Sequence, residues 1–322
     1  MIRISYFFLV ILILLSQKTL ASDELEEIVV TGSHIKTTDE ESSPIEIFTS
    51  KDLDDLNIST VAEISKYLSS SSGSHFQANT MDGVDQGMSS ITLRGLDHAS
   101  TLLLINSRRQ TFSGTPSHEG EGYIDANIIP ENAVKRIEIL KEGGTSLYGS
   151  DAVSGVINFL THKDFEGLEL DFGLQKTDKY NQEDQILGIL LGKKFESSAI
   201  VMAANFIKRS NLSASEIPGI AEFGLSTLGN TFILTADDKV LSGDYKGNYL
   251  KGEKIPDPKC IENGGILQFG FCKFKYGERF NIVNNEDHKK FYLNYHKDWD
   301  NSSYNSTLIT SNVKVNDNPQ SP

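Results

Sequence analysis

The sequence predicts a small α+β domain followed by antiparallel β-strands of the length that spans an outer membrane. Residues 44–163 mix short extended and helical segments, whereas beyond Lys163 about five segments of roughly ten residues alternate apolar and polar side chains. The N-terminus has the features of an export signal, and no later stretch reaches the roughly 18 consecutive apolar residues of a membrane helix. We therefore expect strands that cross a membrane, although the periodicity alone also allows a secreted β-sandwich.

The export signal and the net charge narrow the class of protein. Arg3 precedes an apolar run over residues 4–15, and Ala21 ends a small-residue cleavage site, which predicts a signal peptide over residues 1–21. The 322 residues include 30 Lys and Arg against 44 Asp and Glu, a net charge of −14. This acidic balance argues against a nucleic acid as the partner.

Two cysteines, Cys260 and Cys272, lie close together in a polar, glycine-rich segment. In an exported chain this even count predicts one disulfide that closes a loop. Two free thiols or half of a metal site are the alternatives, and neither is supported by a nearby histidine.

A short apolar segment follows the signal peptide. Residues 28–31, Ile-Val-Val-Thr, have strong strand propensity but stand alone between an acidic run and the polar residues 33–44. The segment is either an edge strand or an extended peptide that a partner binds by strand addition, with main-chain hydrogen bonds supplying the affinity.

The α+β domain follows from residue 44 onward. Residues 45–48 predict a strand and residues 50–56 a brief helix. Thr60 and Glu63 have the spacing of a capping box, which predicts a second helix over residues 60–68. Further strands are predicted over residues 101–106, 134–141 and 156–161.

Two loops of this domain are rich in glycine and polar residues, over residues 74–90 and 110–122. The second carries His118, Glu119 and Glu121, which could ligate a metal. We favour a solvated loop, because no further ligand follows at a suitable spacing.

Four glycines lie within residues 134–162, at Gly143, Gly144, Gly149 and Gly155. Glycine accepts positive φ and close backbone approach, so these residues predict tight turns or a close fit against another surface. A phosphate-binding loop is the alternative, but the stretch lacks the Gly-Lys-Ser/Thr ending of such loops.

The alternating segments resemble one another in length and pattern. In the first, Leu168, Leu170, Phe172 and Leu174 share one face. Short turns at residues 196–197 and 300–301 contrast with a long excursion over residues 210–288, as in outer-membrane barrels, which places both cysteines outside the cell. The five predicted strands cover residues 167–176, 185–196, 198–209, 289–298 and 302–313.

Four stretches occur in a characteristic order: EEIVVTG at residues 26–32, ITLRGL at 91–96, LLLINSRR at 102–109 and AVKRIEILKEGGTSLYGSDAVSGVINFLTHK at 133–163. They resemble the TonB box and the successive plug motifs of the TonB-dependent outer-membrane receptors. The resemblance implies an α+β plug domain followed by antiparallel transmembrane β-barrel strands. It divides the chain into residues 22–43 (TonB box and linker), 44–163 (plug) and 164–322 (first barrel strands, with an extracellular loop over 210–288).

The resemblance also implies a function. Receptors of this family take up scarce nutrients such as siderophores, cobalamin or oligosaccharides through a 22-stranded barrel gated by the plug. The expected partners are TonB with its inner-membrane energising complex, outer-membrane lipid, and a small ligand such as a metal chelate, cobalamin or a glycan. We expect no enzyme activity, cofactor or bound metal. A soluble periplasmic ligand-binding module on a plug-like fold is the alternative.

Three sets of residues receive roles by position in the motifs. The TonB box comprises Glu27, Ile28, Val29, Val30, Thr31 and Gly32. Contacts between plug and barrel are assigned to Arg94, Arg136 and Glu138. Ligand-binding loops present Phe76, Gln77, Asn79, Arg108, Arg109, Phe112 and Tyr123.

The sequence departs from the family pattern in three places, of which Phe159-Leu160 in place of a β-branched pair is expected to cost little. Ser107 stands where the family usually has glycine, which predicts a looser or differently shaped turn. Only about five strands follow the plug, and an open sheet edge in lipid leaves backbone groups unpaired. We therefore expect an incomplete barrel, a fragment that does not transport by itself.

Overall fold

The computed structural model describes residue 31 and residues 45–74, 87–117, 120–141, 144–221 and 224–316. Within these residues the chain forms two five-stranded sheets and several short two-stranded sheets. The first large sheet belongs to an N-terminal domain over residues 45–161, and we call the second the wall sheet.

The N-terminal domain combines one sheet with short helices. Its strands are β1 (Ile45–Thr49), β2 (Thr101–Ile105), β3 (Arg108–Arg109), β4 (Val134–Leu140) and β5 (Gly155–Thr161). Their spatial order is β1-β4-β5-β2-β3, with β2 and β5 parallel and the other neighbours antiparallel. The helices are α1 (Ser50–Asp55) and α2 (Thr145–Tyr148), with 3-10 turns at Val61–Lys66, His98–Ser100, Ala126–Ile128, Glu131–Ala133 and Ser150–Ala152.

Apolar side chains of the central strands form the core of this domain. Ile137, Ile157 and Phe159 are fully buried and pack in one cluster with Ile64 and Leu93. Burial of such side chains contributes about 1.5–3 kcal/mol each, so this cluster is the main source of the domain's stability. The strands predicted over residues 45–48, 101–106, 134–141 and 156–161 all form.

The predicted second helix is wrong in type and in capping. Val61–Lys66 is a 3-10 turn, and the extended Thr60 makes no side-chain cap. Glu63 accepts a hydrogen bond from the Ser59 backbone N–H at 3.1 Å and also faces an arginine of the wall sheet. The carboxylate is therefore engaged elsewhere, and the capping box of this domain lies instead at Thr49 and Asp52, where α1 begins.

Gly155 occupies a position at which no side chain fits. Its φ of 142° lies in the region that favours glycine, and a Cβ atom would stand 2.5 Å from the Leu140 carbonyl oxygen and 2.7 Å from Leu93 Cδ1. At Gly144 a Cβ atom would stand 2.9 Å from Val156 Cγ2. The close fit predicted from the glycines therefore occurs at these two positions.

The turn between β2 and β3 keeps its shape without glycine. Asn106 and Ser107 have φ values of 51° and 62°, the pattern of a two-residue hairpin turn. Asn158 holds this turn, because its Oδ1 accepts from the Ser107 N–H at 2.9 Å and its Nδ2 donates to Ser107 Oγ at 3.1 Å. These bonds offset the cost of a left-handed serine.

The wall sheet is an antiparallel meander interrupted by one excursion. Its first three strands are β6 (Gly167–Lys176), β7 (Glu183–Lys194) and β8 (Ser198–Arg209). The excursion contains β9 (Leu212–Ser213), β10 (Thr231–Ile233), β11 (Asp238–Val240), β12 (Gly247–Tyr249), β13 (Lys254–Pro256), β14 (Ile266–Gln268), β15 (Phe271–Lys273) and β16 (Asn281–Val283), with 3-10 turns at Ala214–Glu216 and Gly277–Arg279. The last two strands are β17 (Asn285–Trp299) and β18 (Ser302–Asn316).

The excursion is built from small hairpins that the cysteine pair ties together. β10 pairs with β13, β11 with β12 and β14 with β15. Cys260 and Cys272 form a disulfide with an S–S distance of 2.03 Å, which joins a turn to strand β15. Among the residues described, no helix has the length and apolar character needed to cross a membrane.

Both long strands after the excursion exceed their predicted lengths. The sequence predicts them over residues 289–298 and 302–313, whereas β17 starts at Asn285 and β18 ends at Asn316. The start of β17 was missed because Glu286 and His288 are polar, as loop residues usually are. In the fold both residues belong to the strand and are fully buried.

Candidate functional site

The two faces of the wall sheet have polarity opposite to that of a soluble protein. Phe172 of β6 is 78% exposed, and it shares the outer face with a broad set of exposed apolar residues. Exposed members of this face include Leu168, Leu170, Leu174, Leu191, Met202, Phe206, Tyr295 and Leu308. The opposite face carries buried polar residues, namely Asp184, Asn205, Arg209, Glu286, His288, Lys290 and Asn294. An outward apolar face of this extent fits a lipid environment.

The N-terminal domain packs against the polar face of the wall sheet. Tyr292 Oη donates to the His162 carbonyl at 2.8 Å, and Asn132 Nδ2 donates to the Ala204 carbonyl at 3.0 Å. Ser311 Oγ donates to the Asn127 carbonyl at 3.1 Å. An apolar cluster of Ala133, Leu190, Val201, Ala203 and Tyr292 lies beside these bonds. Polar contacts therefore supply much of this interface.

Lys290 is a fully buried charge at the interface. Its side chain on β17 is fully buried, and Nζ donates to the Ile129 carbonyl at 3.3 Å and pairs with Glu131. Both partners belong to the N-terminal domain. A buried ammonium needs such partners, because removing it from water without them costs several kcal/mol.

Arg209 forms a second ionic contact, but most of its partners lie on the wall itself. Asp184 and Glu286 flank it in register from the neighbouring strands, at 2.9 and 3.4 Å. Glu63 of the N-terminal domain completes the set at 3.3 Å. His288 Nε2 lies 2.9 Å from Glu286 Oε2. The wall thus supplies two of the three carboxylates around the guanidinium.

Of the predicted TonB box, residues 27–32, the structure describes Thr31. This residue is buried against the N-terminal domain. Its Oγ1 donates to Glu138 Oε2 at 2.6 Å and accepts from Asn158 Nδ2 at 3.0 Å. Glu138 also pairs with Arg136 at 2.7 Å. Thr31, Glu138 and Asn158 are each at most 1% exposed, so the hydroxyl completes a buried polar cluster, which we call the Thr31 cluster.

The residues assigned to plug–barrel contact make their described contacts within the N-terminal domain. Arg94 Nη2 donates to the Val153 carbonyl at 2.7 Å, and Arg136 pairs with Glu138. Their role toward the wall stays a prediction. Side chains of the N-terminal domain that contact the wall in the described residues include Glu63, Glu131 and Asn132. The alternation of polar residues along β17 was the sequence signal for the wall side of this interface.

The predicted ligand residues do not share one surface in the described part of the chain. Arg108 is exposed beside a cleft of about 340 Å³ that Lys163 and Asn305 also line. Arg109 is bound to Asp151 and to the Tyr148 carbonyl. Phe112 is exposed, Tyr123 is buried, and Phe76, Gln77 and Asn79 lie outside the described residues, as do residues 27–30 and Gly32 of the TonB box.

No metal centre is evident in the described residues. They contain no group of three or more His, Cys, Asp or Glu side chains placed to hold an ion. His118 and Glu119 of the candidate loop lie outside the described residues.

Asp125 provides a test of the electrostatics at this interface. Burial raises the pKa of Asp125, although its Oδ1 accepts from the Asn127 N–H at 2.9 Å. We expect Asp125→Asn to stabilise the chain at pH 7 by up to about 1 kcal/mol, because the amide keeps this acceptor without a buried charge. The raised pKa means that the gain is present above the folded-state pKa and is lost as the pH falls toward about 3.9, where the unfolded carboxyl is protonated. Denaturation curves at several pH values measure it, and a gain that grows on acidification would contradict the argument.

Comparison with known proteins finds one matching family model and similar proteins. A family model described as the TonB-dependent Receptor Plug Domain matches residues 37–156. The iron-regulated outer membrane virulence protein of Vibrio cholerae serotype O1 is 41% identical over 75 residues, which cover 23% of this chain and 12% of that protein.

Two solved structures show the extent of the similarity. The unliganded ferric citrate transporter FecA matches with a TM-score of 0.51 at 13% identity, over 87% of this chain and 32% of that one. The siderophore receptor PirA from Acinetobacter baumannii matches with a TM-score of 0.46 at 18% identity, over 86% and 40%. The chain spans less than half of the length of each of these relatives.

These findings agree with the geometry. The matched residues cover most of the N-terminal domain, and the wall sheet carries an apolar outer face as expected of a protein located in the outer membrane. Residues 37–156 therefore match the plug domain of TonB-dependent receptors, and in the described residues antiparallel strands with an apolar outer face follow it.

Proposed function

We propose that this chain belongs to a receptor that takes up an iron chelate across the outer membrane, driven by TonB. The observation that carries the proposal is the plug domain seated on the polar face of a sheet whose other face is apolar. A soluble binding module would expose that apolar face to water, which disfavours the alternative. The name of the Vibrio relative, an iron-regulated outer membrane protein, favours an iron chelate over cobalamin or an oligosaccharide.

The proposed function is transport rather than catalysis. In this mechanism TonB captures residues 27–32 by strand addition and pulls on the chain. Thr31 must first leave the Thr31 cluster. Glu138 and Asn158 then lose their hydrogen bonds to the Thr31 hydroxyl and bind water in its place. The plug–wall interface is also rich in polar contacts, and polar groups that become hydrated on separation recover part of the lost bonding. Force along the chain could then shift the plug without exposing one large apolar surface.

The ligand class is tested by uptake in the source strain with and without the gene. We expect loss of the gene to reduce uptake of one ferric chelate while uptake of cobalamin and of oligosaccharides stays unchanged. Restoring the gene in trans is the control. Loss of cobalamin or oligosaccharide uptake, with normal uptake of every ferric chelate, would overturn the ligand assignment and leave the transport proposal in place.

Replacement of Thr31 by valine tests whether the cluster retains the TonB box. Valine keeps the shape of threonine but leaves Glu138 Oε2 and Asn158 Nδ2 without the hydroxyl partner. An unsatisfied buried polar group costs about 1–3 kcal/mol, so the segment should be released more often. We expect faster tryptic cleavage at Lys36 in Thr31→Val, whereas Thr31→Ser, which keeps the hydroxyl, should behave as the parent chain. Equal cleavage rates in the two variants would show that the hydroxyl does not hold the segment.

A further inference from the structure

The cleft beside Arg108 lies at the junction of the plug and the wall sheet. Its volume is about 340 Å³. Asn106, Arg108 and Gln110 line it from the plug, whereas Asn305 and Thr307 line it from strand β18 of the wall. A ligand held in this cleft would therefore contact both parts of the chain at once.

The lining of the cleft is basic although the chain as a whole is acidic. Arg108 and Lys163 are both exposed there, and none of the described residues that line the cleft is Asp or Glu. In the described part of the chain the Arg108 guanidinium forms no ion pair. A guanidinium offers five N–H donors in a planar arrangement that matches carboxylate oxygens. The charge therefore favours a small anion that presents such oxygens.

Hydrogen bonds hold the neutral polar residues of the lining in place. On the plug, Asn106 Oδ1 accepts from the Thr161 N–H at 3.0 Å, and Asn106 Nδ2 donates to Thr161 Oγ1 at 2.8 Å. On the wall, the fully buried Asn294 donates from Nδ2 to Thr307 Oγ1 at 2.9 Å. Side chains that are already ordered lose little freedom when a ligand binds, which favours binding.

The lining also has an apolar part. Ile105, which is buried, and Ile309, which is half-buried, belong to it. An inorganic anion would use only the cations and amides, whereas an organic chelate would also cover the two isoleucines. The volume of the cleft lies within the range of about 300–1,000 Å³ that is usual for small-molecule sites. An anionic ferric chelate, which combines charged oxygens with carbon, fits both parts of the lining.

The cleft lies at the end of the wall sheet opposite the excursion. Asn305 is close to Ser302, where β18 begins after the short turn at residues 300–301. Lys163 precedes β6 at the same end, because Gly167 at the start of β6 pairs with Gly192 near the end of β7. In outer-membrane barrels the short turns face the periplasm. This position suits a ligand that leaves the receptor rather than one that arrives.

We propose that this cleft, which we call the exit cleft, holds an anionic ferric chelate on the periplasmic side, with Arg108 and Lys163 as its counter-ions. The proposal rests on the proposed function, because it names the charge class of the transported chelate and one place on its route. It gives Arg108 a role on release of the ligand, whereas the motifs predict a role in first binding. Movement of the plug away from the wall would separate the two sides of the exit cleft and free the ligand.

Protection of an introduced thiol from a maleimide tests the exit cleft in the full chain, purified in detergent. The two cysteines of the chain form the disulfide, so Gln110→Cys provides a single reactive thiol in the lining. Ferric citrate is the anionic probe, and ferrichrome is the neutral ferric chelate for comparison. With ferric citrate at about twice its dissociation constant, we expect labelling to slow about threefold by mass action. Ferrichrome should leave the rate unchanged.

The position of the protected thiol has a matched control. Ser197→Cys places the thiol in a short turn at the same end of the wall, where the residue is exposed and lies outside the lining of the exit cleft. This variant should be labelled at the same rate with and without ferric citrate.

Removal of charge tests the two cations. Arg108→Gln together with Lys163→Gln, added to Gln110→Cys, should raise the ferric citrate concentration that gives half-protection about tenfold, because two charge-assisted contacts are lost. Lys314→Gln, on the outer face of β18, is the control and should leave this concentration unchanged. Citrate without iron should protect more weakly than ferric citrate, because it fills less of the exit cleft.

Four results would overturn the proposal. Three of them are absence of protection by ferric citrate, equal protection by ferrichrome, and an unchanged half-protection concentration after loss of both cations. The fourth is equal protection by citrate without iron, which would exclude the chelate as the occupant. Because labelling does not involve uptake, each of these results leaves uptake of a ferric chelate to be judged by the gene-deletion test.

Discussion

Replacing Gly155 with alanine is expected to destabilise the plug domain by roughly 3 kcal/mol or more. The φ of 142° is unfavourable for any residue with a Cβ atom, and such strain costs on the order of 1–3 kcal/mol. The added methyl group would also collide with the Leu140 carbonyl oxygen and with Leu93, and overpacking of this kind costs roughly 1–3 kcal/mol more. Because whole domains are stable by only about 5–15 kcal/mol, the variant should fold poorly.

Chemical denaturation of the two chains in detergent measures this loss. Gly114→Ala is the matched control, because a Cβ atom there meets nothing within 4 Å and the backbone does not require glycine. The control should unfold at the parent midpoint. A Gly155→Ala variant with the same midpoint as Gly114→Ala would contradict the close approach of β5 to the end of β4.

Glu131→Gln is expected to weaken the plug–wall interface by roughly 3 kcal/mol, the usual cost of removing one partner from a buried ion pair. The reason is that Lys290 has a fully buried side chain and would lose its paired carboxylate, keeping only neutral acceptors such as the Ile129 carbonyl. Adding Lys290→Met to Glu131→Gln should restore much of the loss, because no buried charge then remains unpaired.

Denaturation midpoints of the parent, both single variants and the double variant give the coupling between the two residues. Asp287→Asn is the control, since that carboxylate pairs with Lys289 on the outer face of the same strand and should change little. Additive losses in the double variant, without any recovery, would show that the pair does not hold the plug as described.

The repeat of apolar and polar residues made much of the wall sheet predictable. Apolar residues alternate regularly with polar ones along β6, at Leu168, Leu170, Phe172 and Leu174. Strands β6 and β8 both form over the predicted residues. The starts of β7 and β17 were harder, because inward residues such as Asp184 and Glu286 are polar and look like loop residues until the plug is seen to cover them. Local pattern cannot show which partner a strand face will meet.

The candidate site was less predictable than the fold, for a related reason. Motif order predicts a TonB box, whereas the contact of Thr31 with Glu138 was not predicted, because no local rule joins residues so distant in the chain. The capping-box spacing at Thr60 and Glu63 was misleading because Arg209, contributed by a distant strand, competes for the same carboxylate. Contacts between plug and wall depend on tertiary pairing of charges, which the sequence alone does not specify.

We propose that TonB acts on the segment around Thr31 to drive uptake. Deletion of residues 26–32 from the gene in its source strain, followed by separate measurement of ferric chelate binding at the cell surface and of its uptake, tests this role. We expect normal surface binding and abolished uptake. Uptake at the parental rate after the deletion would contradict it.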